Sequence, residues 1–186
     1  MSTVQLKPLP KSSPIFVYGT MMSPKLLTWV LTGDPANYLR LHEYVKLQPA
    51  RLHGYRRVPV KGSDYPALIP AESSSAVDGV LVFRDTLGGW GKLDDFAGDI
   101  YLRTGVQCHY IDQATEGEEA KAAKYGEAME DGWEVVARDG AVAADTYVWD
   151  GDRENLELDK DWSFEEFEKK KLQYWLDAFK SLKGRD

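Results

Sequence analysis

Cysteine is almost absent from this chain: Cys108 is the single one in 186 residues. No internal disulfide can form, so the fold does not require an oxidising compartment. Long apolar runs are missing too. None approaches the roughly 18–20 residues of a membrane span, and the first residues lack the pattern of a secretory leader. A basic excess is also lacking, with 23 Lys and Arg against 30 Asp and Glu and a net charge of −7. That balance argues against a nucleic-acid partner, because phosphate recognition draws on Lys and Arg. The three histidines, His42, His53 and His109, have no metal-ligand spacing, and no cysteine pair exists to complete a zinc site. There is no Gly-x-Ser-x-Gly elbow. Gly88-Gly89-Trp90-Gly91 fits neither the dinucleotide fingerprint nor the P-loop, and a turn before a short helix is the better reading. The expectation is a cytoplasmic protein without metal or cofactor, acting on a small molecule rather than on nucleic acid or a membrane.

Hydrophobic residues make up 43% of the chain and charged residues 28%, enough apolar material for a sizeable core. The length fits one domain, since domains commonly run to about 100–200 residues. Residues 1–13, with no periodic pattern, read as an N-terminal tail, and 14–186 as a single domain. Charge is unevenly spread: residues 1–61 hold nine bases and two acids, whereas 112–145 hold three bases and ten acids. An acidic insertion around 112–134 follows, with a surface helix or ordered insertion expected over Thr115–Gly132.

Pro14 to Tyr18 is a short β-rich run that stops at Gly19-Thr20. Ser23-Pro24 reads as an N-cap followed by proline in the first helical position, with Leu26, Leu27, Val30 and Leu31 as the apolar face and Gly33 as the stop. Strands are predicted around Leu52–Arg56 and over Val77–Phe83, Tyr101–Ile111 and Ala144–Trp149. Asp64–Pro70, with two prolines, is expected to be extended or looped. Near the C-terminus, Ser163 and Glu166 fit a capping box, and Trp162 with Phe167 fits a hydrophobic staple. Phe164, Phe167, Leu172, Trp175, Leu176, Phe179 and Leu182 then form one helical face, read as core. Strands outnumber helices and are linked mostly by turns. The predicted class is α+β: a small, mostly antiparallel, possibly closed sheet with two or three helices against it.

Two segments carry candidate chemistry. Backbone N–H groups just after a strand, where glycine allows close approach, can cradle a carboxylate, as at Tyr18-Gly19-Thr20. Leu93 to Arg103 places Asp94, Asp95 and Asp99 beside a tyrosine and an arginine; taken alone, this is a helix end with solvated acids, capped by Gly98.

In order along the chain, Phe16-Val17-Tyr18-Gly19-Thr20-Met21, Leu52-x-Gly54-Tyr55, Tyr65-Pro66-Ala67, Val77-x-Gly79, Leu93–Arg103 and Tyr147-Val148-Trp149 resemble gamma-glutamylcyclotransferase-like proteins. Trp162-Ser163-Phe164-Glu165-Glu166-Phe167 looks most like the avirulence-induced-gene branch of that family. The resemblance implies a small mixed β-barrel flanked by helices, with a pocket at its mouth. Active members cyclise a γ-glutamyl amine, dipeptide or glutathione-type conjugate, releasing 5-oxoproline without metal or nucleotide. It further implies that Tyr18, Gly19, Thr20 and Met21 form the substrate-binding loop, with Tyr101 as a hydrogen-bonding wall.

The sequence departs from that pattern at one position. Such proteins normally read Leu-Asp-x-Phe-Glu-Gly-x-x-Tyr, where the glutamate is the general acid/base, and here Ala97 replaces it. Cyclisation needs a group that takes a proton from the attacking ammonium and returns one to the leaving nitrogen; losing it costs roughly 10²–10⁴ in rate. Three explanations stay open. The chain is an inactivated form of an enzyme with glutamate at this position, a natural pseudoenzyme that binds a small ligand, or an enzyme in which Asp95 or Asp99 has become a surrogate acid. Retention of the rest of the motif favours the first. The amine side of the substrate and the oligomeric state are not written in the sequence. Lys25, Arg56 and Arg57 are candidates for adding positive potential towards an anionic glutamyl group.

Overall fold

The computed structural model describes residues 13–84, 90–111 and 141–183. Residues 1–12 of the expected tail, residues 88–89 of the expected turn and the acidic insertion 112–134 lie outside the described residues. The strands are β1 (Ile15–Val17), β2 (Lys46–His53), β3 (Tyr55–Pro59), β4 (Pro66–Pro70), β5 (Ala76–Phe83), β6 (Tyr101–Tyr110) and β7 (Ala141–Trp149). Five of them close into a barrel in the order β1-β5-β2-β6-β7. All its pairings are antiparallel except β1 with β7, which is parallel. The barrel is therefore mixed and mostly antiparallel.

β1 and β5 are apolar on both faces because both faces are covered. Phe16 and Leu81 face one cluster with Ala50, Cys108, Val142 and Ala144. Their neighbours Ile15, Val17, Val80 and Val82 face another, completed by Leu27, Val30 and Leu31 of the first helix. Gly79 makes the β1–β5 contact possible. A Cβ there would fall 2.7 Å from Phe16 Cζ and closer still to the Val17 carbonyl oxygen.

One expectation changes and one is sharpened. The strand expected around Leu52–Arg56 is two strands divided at Gly54: β2 stays in the barrel, and β3 leaves it to pair with β4. The proline-bearing segment is itself β4, with Pro66 and Pro70 at its two ends. The two prolines thus sit at the ends of a strand in a two-stranded ribbon, positions that sheets allow.

The helices are α1 (Pro24–Thr32), α2 (Gly91–Ala97), α3 (Phe164–Lys170) and α4 (Leu172–Lys183). α1 starts where Ser23 Oγ accepts the Leu26 N–H, and it ends at Gly33 in the left-handed region. At the C-terminus, Ser163 Oγ accepts the Glu166 N–H at 3.2 Å, and the Trp162 and Phe167 rings lie 5.9 Å apart. The single helix expected there is interrupted at Lys171 (φ −123°). The apolar stripe steps five residues from Phe167 to Leu172, too far for one 3.6-residue turn, and the break absorbs the mismatch. Leu182 is 62% exposed and does not belong to the buried face. Among the described residues no helix is long and apolar enough to cross a membrane.

Candidate functional site

A cavity of about 440 Å³ opens at the barrel mouth, within the range of roughly 300–1,000 Å³ usual for small-molecule sites. Its floor begins where β1 runs out. After Val17 the chain turns through a single 3-10 turn, Thr20–Met22, closed by Met22 N–H to Gly19 O at 3.0 Å and Ser23 N–H to Thr20 O at 3.1 Å. The first N–H groups of such a turn have no acceptor within it, and this loop lines the cavity. Gly19 lies against Pro66: a Cβ would stand 2.8 Å from Pro66 Cγ.

Three tyrosines stiffen this wall. Tyr18 Oη donates to the Tyr147 carbonyl at 2.6 Å, Tyr101 Oη to the Pro66 carbonyl at 2.7 Å, and Tyr147 Oη to Asp94 Oδ1 at 2.7 Å. Burial holds all three phenols far above the usual tyrosine range, and the Asp94 carboxylate raises Tyr147 further. They are neutral, and their protons are committed to protein acceptors. None is available as a base.

Tyr18, Gly19, Thr20, Met21, Ala97 and Tyr101 all line this one cavity. Ala97 ends α2, where the Gly98 N–H caps Asp94 O at 3.0 Å. Asp95 and Asp99 are exposed and are not among the lining residues. The inward acid of this segment is Asp94, which is already bonded to Tyr147 and to Arg103 Nη1 at 3.0 Å. The described lining residues include no Asp, Glu, His, Lys or Arg. The three basic residues considered for steering lie elsewhere. Lys25 Nζ sits over the Tyr38 ring, Arg56 donates to the Leu158 carbonyl, and Arg57 donates to the Tyr18 carbonyl while covering Trp162. Arg57 thus supports the loop from behind.

The opposite wall comes from α4, through Tyr174, Trp175, Ala178 and Phe179, together with Phe96 and Ile100 around the end of α2. The aromatic stripe read as core is both core and cavity wall. Asp64, unremarkable in the sequence, fixes that wall. Its carbonyl accepts Trp162 Nε1–H, its Oδ2 accepts Trp175 Nε1–H at 2.9 Å, and Lys171 Nζ lies 3.5 Å from Oδ1. No local signal marks Asp64, because its partners lie about a hundred residues away; Tyr65 and Tyr147 do stand in motifs shared with the family that the chain resembles. His53 and His109, far apart in sequence, meet edge to face with ring centroids 5.8 Å apart on β2 and β6. Neither lines the cavity.

A closed mixed barrel whose first strand ends in a glycine loop, with helices that wall a cavity at its mouth, defines the class of this protein. The chain belongs to the family described as gamma-glutamyl cyclotransferase, AIG2-like, whose sequence profile matches residues 15–164. Among curated Arabidopsis thaliana proteins, it is 26% identical over 168 residues to AIG2-like protein D, covering 90% of this chain and 87% of that one. It is 23% identical over 175 residues to Protein AIG2 C, covering 93% and 82%. A solution structure of an Arabidopsis thaliana protein shares the fold at TM-score 0.50 and 21% identity, covering 91% of this chain and 89% of that one.

Proposed function

We propose that the barrel-mouth cavity is a γ-glutamyl-amide site of cyclotransferase lineage, in which Ala97 stands where the proton-transfer carboxylate belongs. The chain then binds its ligand and turns it over slowly or not at all. The observation that carries this reading is the gathering of Tyr18–Met21, Ala97 and Tyr101 around one cavity with no side-chain acid or base among its described lining residues.

In the reaction, the α-nitrogen of the glutamyl group attacks its own γ-carbonyl carbon. One C–N bond forms, the C–N bond to the amine breaks, and the two protons given up by the attacking ammonium pass to the leaving nitrogen, which departs as an ammonium. The products are 5-oxoproline and the free amine. Backbone N–H groups of the Gly19–Met21 loop are donors available to the substrate carboxylate or to the developing oxyanion, whereas the phenol protons of Tyr18, Tyr101 and Tyr147 are taken. What is lacking is the proton carrier. A glutamate at position 97 would extend from the end of α2 into the cavity.

The test is 5-oxoproline release from a panel of γ-glutamyl amines by the chain and by Ala97→Glu. The Glu variant is expected to be faster by roughly 10²–10⁴. A second reading, a binding module for some other small molecule, rests on the absence of charged groups from the described lining. It gains if Ala97→Glu turns over nothing and no γ-glutamyl compound binds. Turnover by the chain itself, abolished by Asp95→Asn or Asp99→Asn, would instead establish a surrogate acid.

A further inference from the structure

The two ends of the cavity differ chemically. At the loop end, Gly19 to Met21 present backbone donors, which suit the glutamyl head. Whatever the head is joined to must then lie against the wall built by α4 and the end of α2. That wall is aromatic and is organised as a packed set of rings. Phe96 and Trp175 have centroids 6.5 Å apart, Trp175 and Phe179 6.1 Å, and Tyr65 and Trp175 6.5 Å, the last two pairs edge to face. Phe179 is held in place from behind by Trp29, stacked at 3.9 Å.

Such a wall discriminates. A lysine-type remainder would bring an ammonium, and a dipeptide remainder a carboxylate, into a space whose described lining offers no opposite charge. Tyr65 and Tyr174 bring hydroxyls to that side, but a charge moved there still loses hydration without a counter-charge. A flat ring, by contrast, meets aromatic faces and edges at the separations such pairs favour. We infer that the remainder of the ligand is an uncharged aromatic or arylalkyl group, so that the class bound is a γ-glutamyl arylalkyl amide. This rests on the function proposed above and adds the identity of the amine side.

Calorimetric titration of the full chain with L-γ-glutamyl-benzylamide, L-γ-glutamyl-ethylamide and ε-(γ-glutamyl)lysine tests it directly. Burial of the phenyl ring is expected to make the benzylamide bind about tenfold or more tighter than the ethylamide, with the lysine compound weakest. Phe179→Leu, and separately Tyr174→Ala at a side chain exposed enough (71%) for the fold to tolerate its loss, should bring the benzyl-to-ethyl ratio towards one. In the Ala97→Glu background, the same order is expected in kcat/KM. If the lysine compound or the ethylamide binds or reacts as well as the benzylamide, the aromatic assignment is overturned while the γ-glutamyl reading stands. If no γ-glutamyl compound binds and Ala97→Glu is inert, both fall.

Discussion

The two walls of the cavity are built by different means. The strand-and-loop wall is tied together by hydrogen bonds between residues distant in sequence: Tyr18 to Tyr147, Tyr101 to Pro66, Arg57 to Tyr18, and Thr146 Oγ1 to the Phe16 carbonyl at 2.8 Å. Each bond is directional, and Phe16 and Thr146 are wholly buried, so this wall has one geometry. The helical wall rests on ring packing and on the contacts that Asp64 makes with Trp162, Trp175 and Lys171. Packed rings tolerate small shifts that hydrogen bonds do not. Under the proposed function, the strand wall would fix where a reacting group sits, and the helical wall would set which shape can accompany it.

After the rate change at position 97, the largest expected effect is on the rigid wall. Gly79→Ala forces a methyl against the Val17 carbonyl and the Phe16 ring, both held by the barrel. Overpacking of this kind destabilises by about 1–3 kcal/mol, and the backbone contact places Gly79 at the upper end. Urea denaturation of the variant should show a lower midpoint with unchanged slope. A midpoint equal to that of the parent would mean that the β1–β5 contact is as adjustable as the helical wall, and the contrast would fail.

The helical wall offers the next test. In Asp64→Ala the Trp175 N–H loses its acceptor and Lys171 its counter-charge, at a cost of roughly 1.5–3 kcal/mol for a bond to a charged group. The loss should be local: faster amide exchange across 164–183, with little change in β1 and β5. Ser163→Ala removes a single cap, costs about 1 kcal/mol, and should speed exchange only in the first turn of α3. Equal acceleration in the barrel strands for either variant would show that the two walls unfold as one unit.

Legibility in the sequence follows the same division. β1, α1 with its Ser23 cap and Gly33 stop, β5 and the Ser163 N-cap are set by local rules of periodicity and capping, and the structure forms them where those rules place them; the Glu166 carboxylate of the expected box instead accepts from Lys170 Nζ at 2.7 Å. The loop residues Tyr18 to Met21 could be singled out because strand, glycine and helix start are adjacent. What local rules did not contain were choices made by distant partners. Gly54 divides one apparent strand because β3 finds β4 outside the barrel. Trp175 and Phe179 line the cavity because Asp64, 111 residues before Trp175, holds the helix there. An apolar helical face announces burial, but not that it covers a cavity.

The smallest expected effect is at Cys108, and it supplies the reporter that separates the walls. Its side chain is fully buried with the inward cluster of the barrel, and burial pushes the thiol up to about 12. In the unfolded chain a thiol ionises near about 8.5. Between these values the unfolded chain binds fewer protons than the folded one. The stability that Cys108 lends through its neutral form is therefore complete below about 8.5 and is lost as pH rises towards 12. At pH 8 a thiol reagent such as dithionitrobenzoate should find almost no thiolate and no access. Labelling should therefore track opening of the barrel. Asp64→Ala is expected to leave the labelling rate near that of the parent while the helical amides exchange faster, and Gly79→Ala to raise it about tenfold for each ~1.4 kcal/mol of stability lost. Fast labelling of the parent at pH 8 would break the comparison at its root, because it would mean that the barrel interior is no more closed than the helical wall.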